Sequence, residues 1–148
     1  MVAENFPIEP GHILRFRRAL GEPDPTDGQR PAAPPTYTAA SAEHDEGWWL
    51  RPHIGEPWWG SGATPGTPGT GRGLHAEQHF VYHRPIIAGE TLHGSVSVGD
   101  TWEKPGRRGV LTFSEETTEW RDDAGDPVVT ERRVRVTTPS PPVSAPTS

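Results

Sequence analysis

A chain of 148 residues with 18 prolines and 17 glycines is long enough for one domain with a single core. It has no cysteine and a formal net charge of −6, which excludes disulfides, thiolate nucleophiles and Cys-ligated zinc and argues against a nucleic-acid partner. No apolar run approaches the roughly 20 residues that would span a bilayer, so no membrane partner is expected. Met1-Val2-Ala3-Glu4-Asn5 lacks the charged-then-apolar order of a signal peptide, which predicts a cytoplasmic protein.

Residues 10–20 place Ile13, Phe16 and Leu20 on one stripe, with Arg15, Arg17 and Arg18 mostly off it. Gly21 stands where a helix C-terminal cap belongs, so a short amphipathic helix is predicted, its arginines complementing the dipole. Pro23, Pro25, Pro31, Pro34 and Pro35 then impose an extended loop. Residues 36–50 hold Ala39, Ala40, Ala42, Trp48, Trp49 and Leu50 and predict a second, weaker helix, opposed by Gly47 and the polar run 43–46. The Gly/Pro/Thr-rich stretch 60–73 has nothing to bury and is expected to be a mobile loop. The tail 138–148 has the same character and is expected to be disordered, leaving 1–137 as the domain.

The strands lie between and after these segments. Leu74, Ala76, Phe80 and Tyr82 alternate against His75, Glu77 and His79, with Gln78 the exception. Leu92, Gly94, Val96 and Val98 alternate against His93, Ser95 and Ser97. A third segment starts at Trp102 and is expected to turn at Pro105-Gly106 into a strand from Gly109 to about Trp120. After a loop at 122–126 the last strand puts Val128, Val134 and Val136 on one face and Glu131, Arg133 and Arg135 on the other. The pattern is α+β with a long antiparallel sheet. One weak helix cannot cover such a sheet, so a second copy or a partner chain is expected.

Three stretches carry a family resemblance. Pro10-Gly11-His12-Ile13-Leu14-Arg15-Phe16 with 19–25 resembles the opening helix and Gly-Asp-x-Asn-Pro loop of MaoC-like dehydratases. Ala33-Pro34-Pro35-Thr36-Tyr37 is similar to the Ala-Pro-Pro-Thr-aromatic element of that group's FAS1-type dehydratase branch. Residues 74–85 followed by Ala88-Gly89-Glu90-Thr91-Leu92 resemble the branch's strand and turn, and the match runs from about residue 8 to 137.

The resemblance implies a hot-dog fold: a curved antiparallel sheet wrapped around a central helix, dimerising side by side. It also implies acyl thioesters of coenzyme A or acyl carrier protein as substrates, with water added or removed across Cα and Cβ and no cofactor. Active members draw their acid/base pair from a loop of the form Gly-Asp-x-Asn-Pro-aliphatic-His. Here that loop reads Gly21-Glu22-Pro23-Asp24-Pro25-Thr26-Asp27, so Glu22 stands for the Asp and Asp27 for the His. A carboxylate cannot do the work of an imidazole near neutral pH without a large shift.

Two readings follow from the broken pair. The chain is a non-catalytic, substrate-lining half that pairs with an intact Asp/His subunit, or it is a self-sufficient dehydratase or isomerase with other acid/base residues. A non-enzymatic acyl-thioester binding protein is a third. Trp48 and Trp49 are candidate walls of the acyl tunnel, although large aromatics more often fill core or interface. His75, Glu77, His79 and His83 form a metal-like alternation that strand sequence explains better, so no metal is expected. Arg84, Arg107 and Arg108 are candidate phosphate contacts, with surface charge the plainer reading.

Overall fold

The computed structural model describes residues 4–23, 30–48, 54–55, 73–107 and 109–137. Strand β1 (Phe6–Pro7) and helix α1 (Pro10–Ala19) are followed by a 3-10 helix (Tyr37–His44) and then by β2 (Gly73–Tyr82), β3 (Thr91–Gly106), β4 (Gly109–Arg121) and β5 (Pro127–Thr137). The strands form one antiparallel sheet in the order β1-β3-β4-β5-β2. The α+β expectation holds, and β1, whose Phe6 pairs with Leu92, is an addition that two residues of sequence do not announce.

Helix α1 is built by its ends. Glu9 is extended, Pro10 opens the first turn where its missing N–H costs nothing, and Gly21 takes φ 77. The Gly21 N–H then donates to Arg18 O and the Glu22 N–H to Arg17 O, each at 3.0 Å, which is a Schellman closure. Ile13 and Phe16 pack inward as predicted, but Leu20 is 55% exposed because the helix stops at Ala19.

The second helix is shorter and tighter than the 36–50 segment expected. Thr36 sits at φ 68 and ψ 4, and the eight residues after it form 3-10 rather than α turns. A β-branched residue in the left-handed region costs roughly 1–2 kcal/mol, so the surroundings hold this turn. The helix ends at Asp45, whose Oδ1 accepts the Gly47 N–H at 2.8 Å and whose carbonyl accepts the Trp48 N–H at 3.1 Å.

Three strand readings are corrected. A bulge leaves Ala76 without a partner, so His75 opposite Arg135 and Gln78 opposite Arg133 share one face, while Glu77 and His79 lie on the other. This explains the misplaced Gln78. The third segment is the continuation of β3, which absorbs a register shift between Val98 and Thr101. Pro105 pairs with Val110 inside the ladder and Gly106 pairs with Gly109, so the reversal lies beyond Pro105-Gly106.

The core gathers around Phe6, whose ring centroid is 5.5 Å from Tyr37, 5.4 Å from His44 and 5.7 Å from Trp120. Ile13, Leu92, Val128 and Val129 close it. Trp120 pairs with Val129 and Thr118 with Glu131, so Glu131 lies on the same face as this core, opposite to its expected outward place. It is 4% exposed. Its Oε2 accepts from Thr38 Oγ1 of the 3-10 helix at 3.0 Å, and its Oε1 accepts from Gln78 Nε2 of β2 and Arg133 Nη2 of β5, both at 2.6 Å. A buried carboxylate is tolerated only when paired and hydrogen-bonded, and these three donors meet that condition.

The two sheet edges differ. The outer side of β3 is covered by β1 only at Thr91 and Leu92, and beyond that it carries a bulge, Asp100, Glu103, Lys104 and Pro105, features that discourage strand addition. Among the described residues no strand pairs with the outer side of β2, whose ten residues carry one bulge and neither proline nor lysine.

Two stability outcomes follow. Glu131→Ala should cost about 2–4 kcal/mol in urea unfolding, because it frees Thr38 and leaves Arg133 without its anion, and Glu131→Gln should cost less. An alanine variant within about 0.5 kcal/mol of wild type would show that the tie does not hold the helix to the sheet. Thr36→Gly should stabilise by about 0.5–1 kcal/mol, since relief of the left-handed strain exceeds the added chain entropy.

Candidate functional site

Glu22, the predicted stand-in for the catalytic carboxylate, is placed by the Schellman closure of α1 and is half-buried. Its Oε2 lies 3.3 Å from Arg17 Nη2, which also donates to Pro23 O at 3.3 Å. The carboxylate is thus engaged by a guanidinium of its own helix, less than two turns upstream. Asp27 lies outside the described residues, as do Trp49, residues 138–148 and residues 60–72 of the expected mobile stretch, whose last residue, Gly73, instead opens β2. Trp48 is half-buried just past the 3-10 helix.

Two cavities flank the 3-10 helix. One of about 190 Å³ lies between it and α1 and is lined by His12, Arg15, Phe16, Ala40 and Glu43. The His12 and His44 ring centroids are 5.9 Å apart beside it. Tyr37 is 1% exposed, and burial, with the nearby Glu43 and Glu9 carboxylates, pushes its hydroxyl up to about 12. It therefore stays protonated at any physiological pH. The second cavity, about 410 Å³, lies between the Ala33–Pro35 segment and the end of β2, where Tyr82, His83, Arg84, Pro85 and Ile86 complete its lining.

The polar residues of the second cavity have separate roles. Arg84 donates through Nη1 to Glu90 Oε1 at 3.2 Å and through Nη2 to Glu90 Oε2 at 2.7 Å and Asp122 Oδ2 at 2.9 Å. It ties the β2–β3 turn to the β4–β5 hairpin. His83 Nε2 lies 3.0 Å from Thr130 Oγ1. Tyr82 Oη accepts the N–H of strained Thr36 at 3.0 Å. Sequence reasoning treated Tyr82 as an apolar strand residue. Only its phenol, at the end of an otherwise apolar alternation, hinted at a polar task.

The His-x-Glu-x-His alternation does not assemble a metal site. The bulge removes His75 from the Glu77/His79 face, where His79 Nε2 lies 3.1 Å from Glu77 Oε2, and no group of three or more metal-ligating side chains exists among the described residues. The hydrogen bond from His79 holds the Glu77 carboxyl below its usual value. Arg107 is exposed, and Arg108 lies outside the described residues.

The Arg84 tie has a pH signature. The hydrogen bond from Arg84 and then the backbone N–H of Asp126 hold Asp122 below the ordinary 3.8. A depressed folded pKa adds stability that is complete above 3.8 and is lost as pH falls through the lower folded value. The melting temperature of Arg84→Met should therefore lie below wild type by a constant gap from about pH 7 to pH 5, narrowing below about pH 4. A gap unchanged down to about pH 2 would show that the tie is not electrostatic.

Comparison with known proteins places these features in a family. The family model described as "FAS1-like, dehydratase domain region" matches residues 2–131. No functionally curated protein sequence matches the chain. Among solved structures, the ChsH1-ChsH2 complex from Mycobacterium tuberculosis shares 17% identity at TM-score 0.64, covering 97% of this chain and 88% of the other. The C-terminally truncated HadBC complex, a 3R-hydroxyacyl-ACP dehydratase from the same organism, shares 16% at TM-score 0.62, with 89% of each chain covered. The (R)-hydratase of A. caviae involved in PHA biosynthesis shares 15% at TM-score 0.55, covering 94% and 97%. At these identities the likeness establishes the hot-dog fold, and with the sequence match over 2–131 the chain belongs to the FAS1-like dehydratase domain region family.

Proposed function

We propose that the chain is a subunit of a 3-hydroxyacyl-thioester dehydratase or 2-enoyl-thioester hydratase, and that it is the substrate-lining half rather than the acid/base half. The observation that carries this reading is Glu22. In a chain that otherwise matches the dehydratase region, the carboxylate at the acid/base position is tied to Arg17. Addition or removal of water needs a base at Cα–H, an acid at the β-oxygen and N–H donors for the thioester oxygen. A related hot-dog subunit with an intact Asp/His loop would supply the acid and base, and the open edge of β2 is where it would add its strand. HadBC and ChsH1-ChsH2 are themselves complexes, which supports a two-subunit arrangement. The substrate is an acyl thioester on coenzyme A or acyl carrier protein, with Trp48 and Trp49 as wall candidates.

The test is hydration of crotonyl-coenzyme A. The purified chain alone should turn over at less than about a hundredth of the rate of the same chain co-expressed with an Asp/His-bearing subunit, a loss in the range expected for a missing general acid–base group. Val81→Lys, on the open edge strand, should weaken the assembly in sedimentation without unfolding the chain. Fast turnover by the chain alone, abolished by Glu22→Gln or Asp27→Asn, would show that these carboxylates carry catalysis. Tight thioester binding without turnover in any assembly would make it a binding protein.

A further inference from the structure

We propose that Tyr82 binds the thioester carbonyl: its phenolic hydrogen donates to the carbonyl oxygen of an acyl chain seated in the 410 Å³ cavity at the end of β2. The inference rests on the acyl-thioester reading above and names the residue that would orient the reacting group. The cavity walls supplied by Ala33, Pro35, Pro85 and Ile86 are apolar, and its volume falls in the range of small-molecule sites. Arg84 is consumed by Glu90 and Asp122, and His83 shares its Nε2 with Thr130. The Tyr82 hydroxyl accepts from the Thr36 N–H, and its own hydrogen has no acceptor among the described residues.

Three features prepare that hydrogen for a ligand. An O–H whose oxygen already accepts a hydrogen bond is polarised and donates more strongly. The ring is fixed by Phe80, stacked at 5.8 Å between centroids and 16° between planes. Thr36 is held at φ 68, and backbone strain of this kind persists where the surroundings over-determine a turn, commonly at ligand sites. Tyr82 is 44% exposed, so the group is reachable. A donor between apolar walls selects an acceptor flanked by hydrocarbon, which describes a thioester carbonyl better than an amide, whose N–H would find no partner there.

The test is calorimetric titration of the full chain, in the assembly in which it purifies, with crotonyl-coenzyme A and with coenzyme A. Tyr82→Phe should weaken crotonyl-coenzyme A about 3- to 10-fold, the loss of one neutral hydrogen bond, and leave coenzyme A affinity unchanged, with a small drop in melting temperature because the Thr36 N–H also loses its acceptor. Unchanged affinity for crotonyl-coenzyme A in a variant whose wild type binds it would overturn the role of Tyr82 and leave the thioester reading standing. An equal loss for both ligands would overturn the carbonyl contact in favour of a structural one. Wild type binding crotonyl-coenzyme A no better than coenzyme A would remove the thioester reading and this contact together.

Discussion

A carboxylate can sit inside a sheet only when its oxygens are engaged, and Glu131 meets that condition with donors from three elements. Thr38 comes from the 3-10 helix, Gln78 from β2 and Arg133 from β5. The helix is short and lies over a face that is apolar at one end, around Phe6 and Trp120, and charged further along β5. Hydrophobic burial presses its first turn against the core through Tyr37. The Glu131 tie sets where along the sheet that turn rests. Tyr82 and Thr36 follow from it, because both stand at the same turn.

Much of the fold was legible in the residues. Gly21, Pro10 and the Ile13/Phe16 stripe wrote α1, and alternation wrote the four long strands, because a period of two survives in any half-buried ladder. The failures have a common physical cause. A period cannot register an inserted residue, so the bulge at Ala76 appeared only as the anomaly at Gln78. The same blindness put Glu131 outside, since its charge was read without the donors that satisfy it. Pairing of Phe6 with Leu92 is a contact across most of the domain, and no local pattern encodes it.

The loop sequence singled out Glu22 as a candidate, but nothing in it said that the helix closure would bring the carboxylate onto Arg17. Two residues of one chain here answer to different constraints. The Arg84–Glu90–Asp122 tie holds the turn beside the cavity, while Glu22 pairs with Arg17 at the end of α1.

The unequal edges of the sheet bear on how large any assembly grows. Strand addition at both sides of a sheet is an open-ended process, and a chain with two inviting edges propagates into a fibre. Here the far side of β3 is kinked by its register shift and lined with Asp100, Glu103, Lys104 and Pro105, whereas β2 has a bulge at Ala76 but no proline or lysine and, among the described residues, no outer partner. A chain that docked on β2 would leave only the β3 edge among the described residues. In such an assembly the geometry that permits pairing would also discourage further growth.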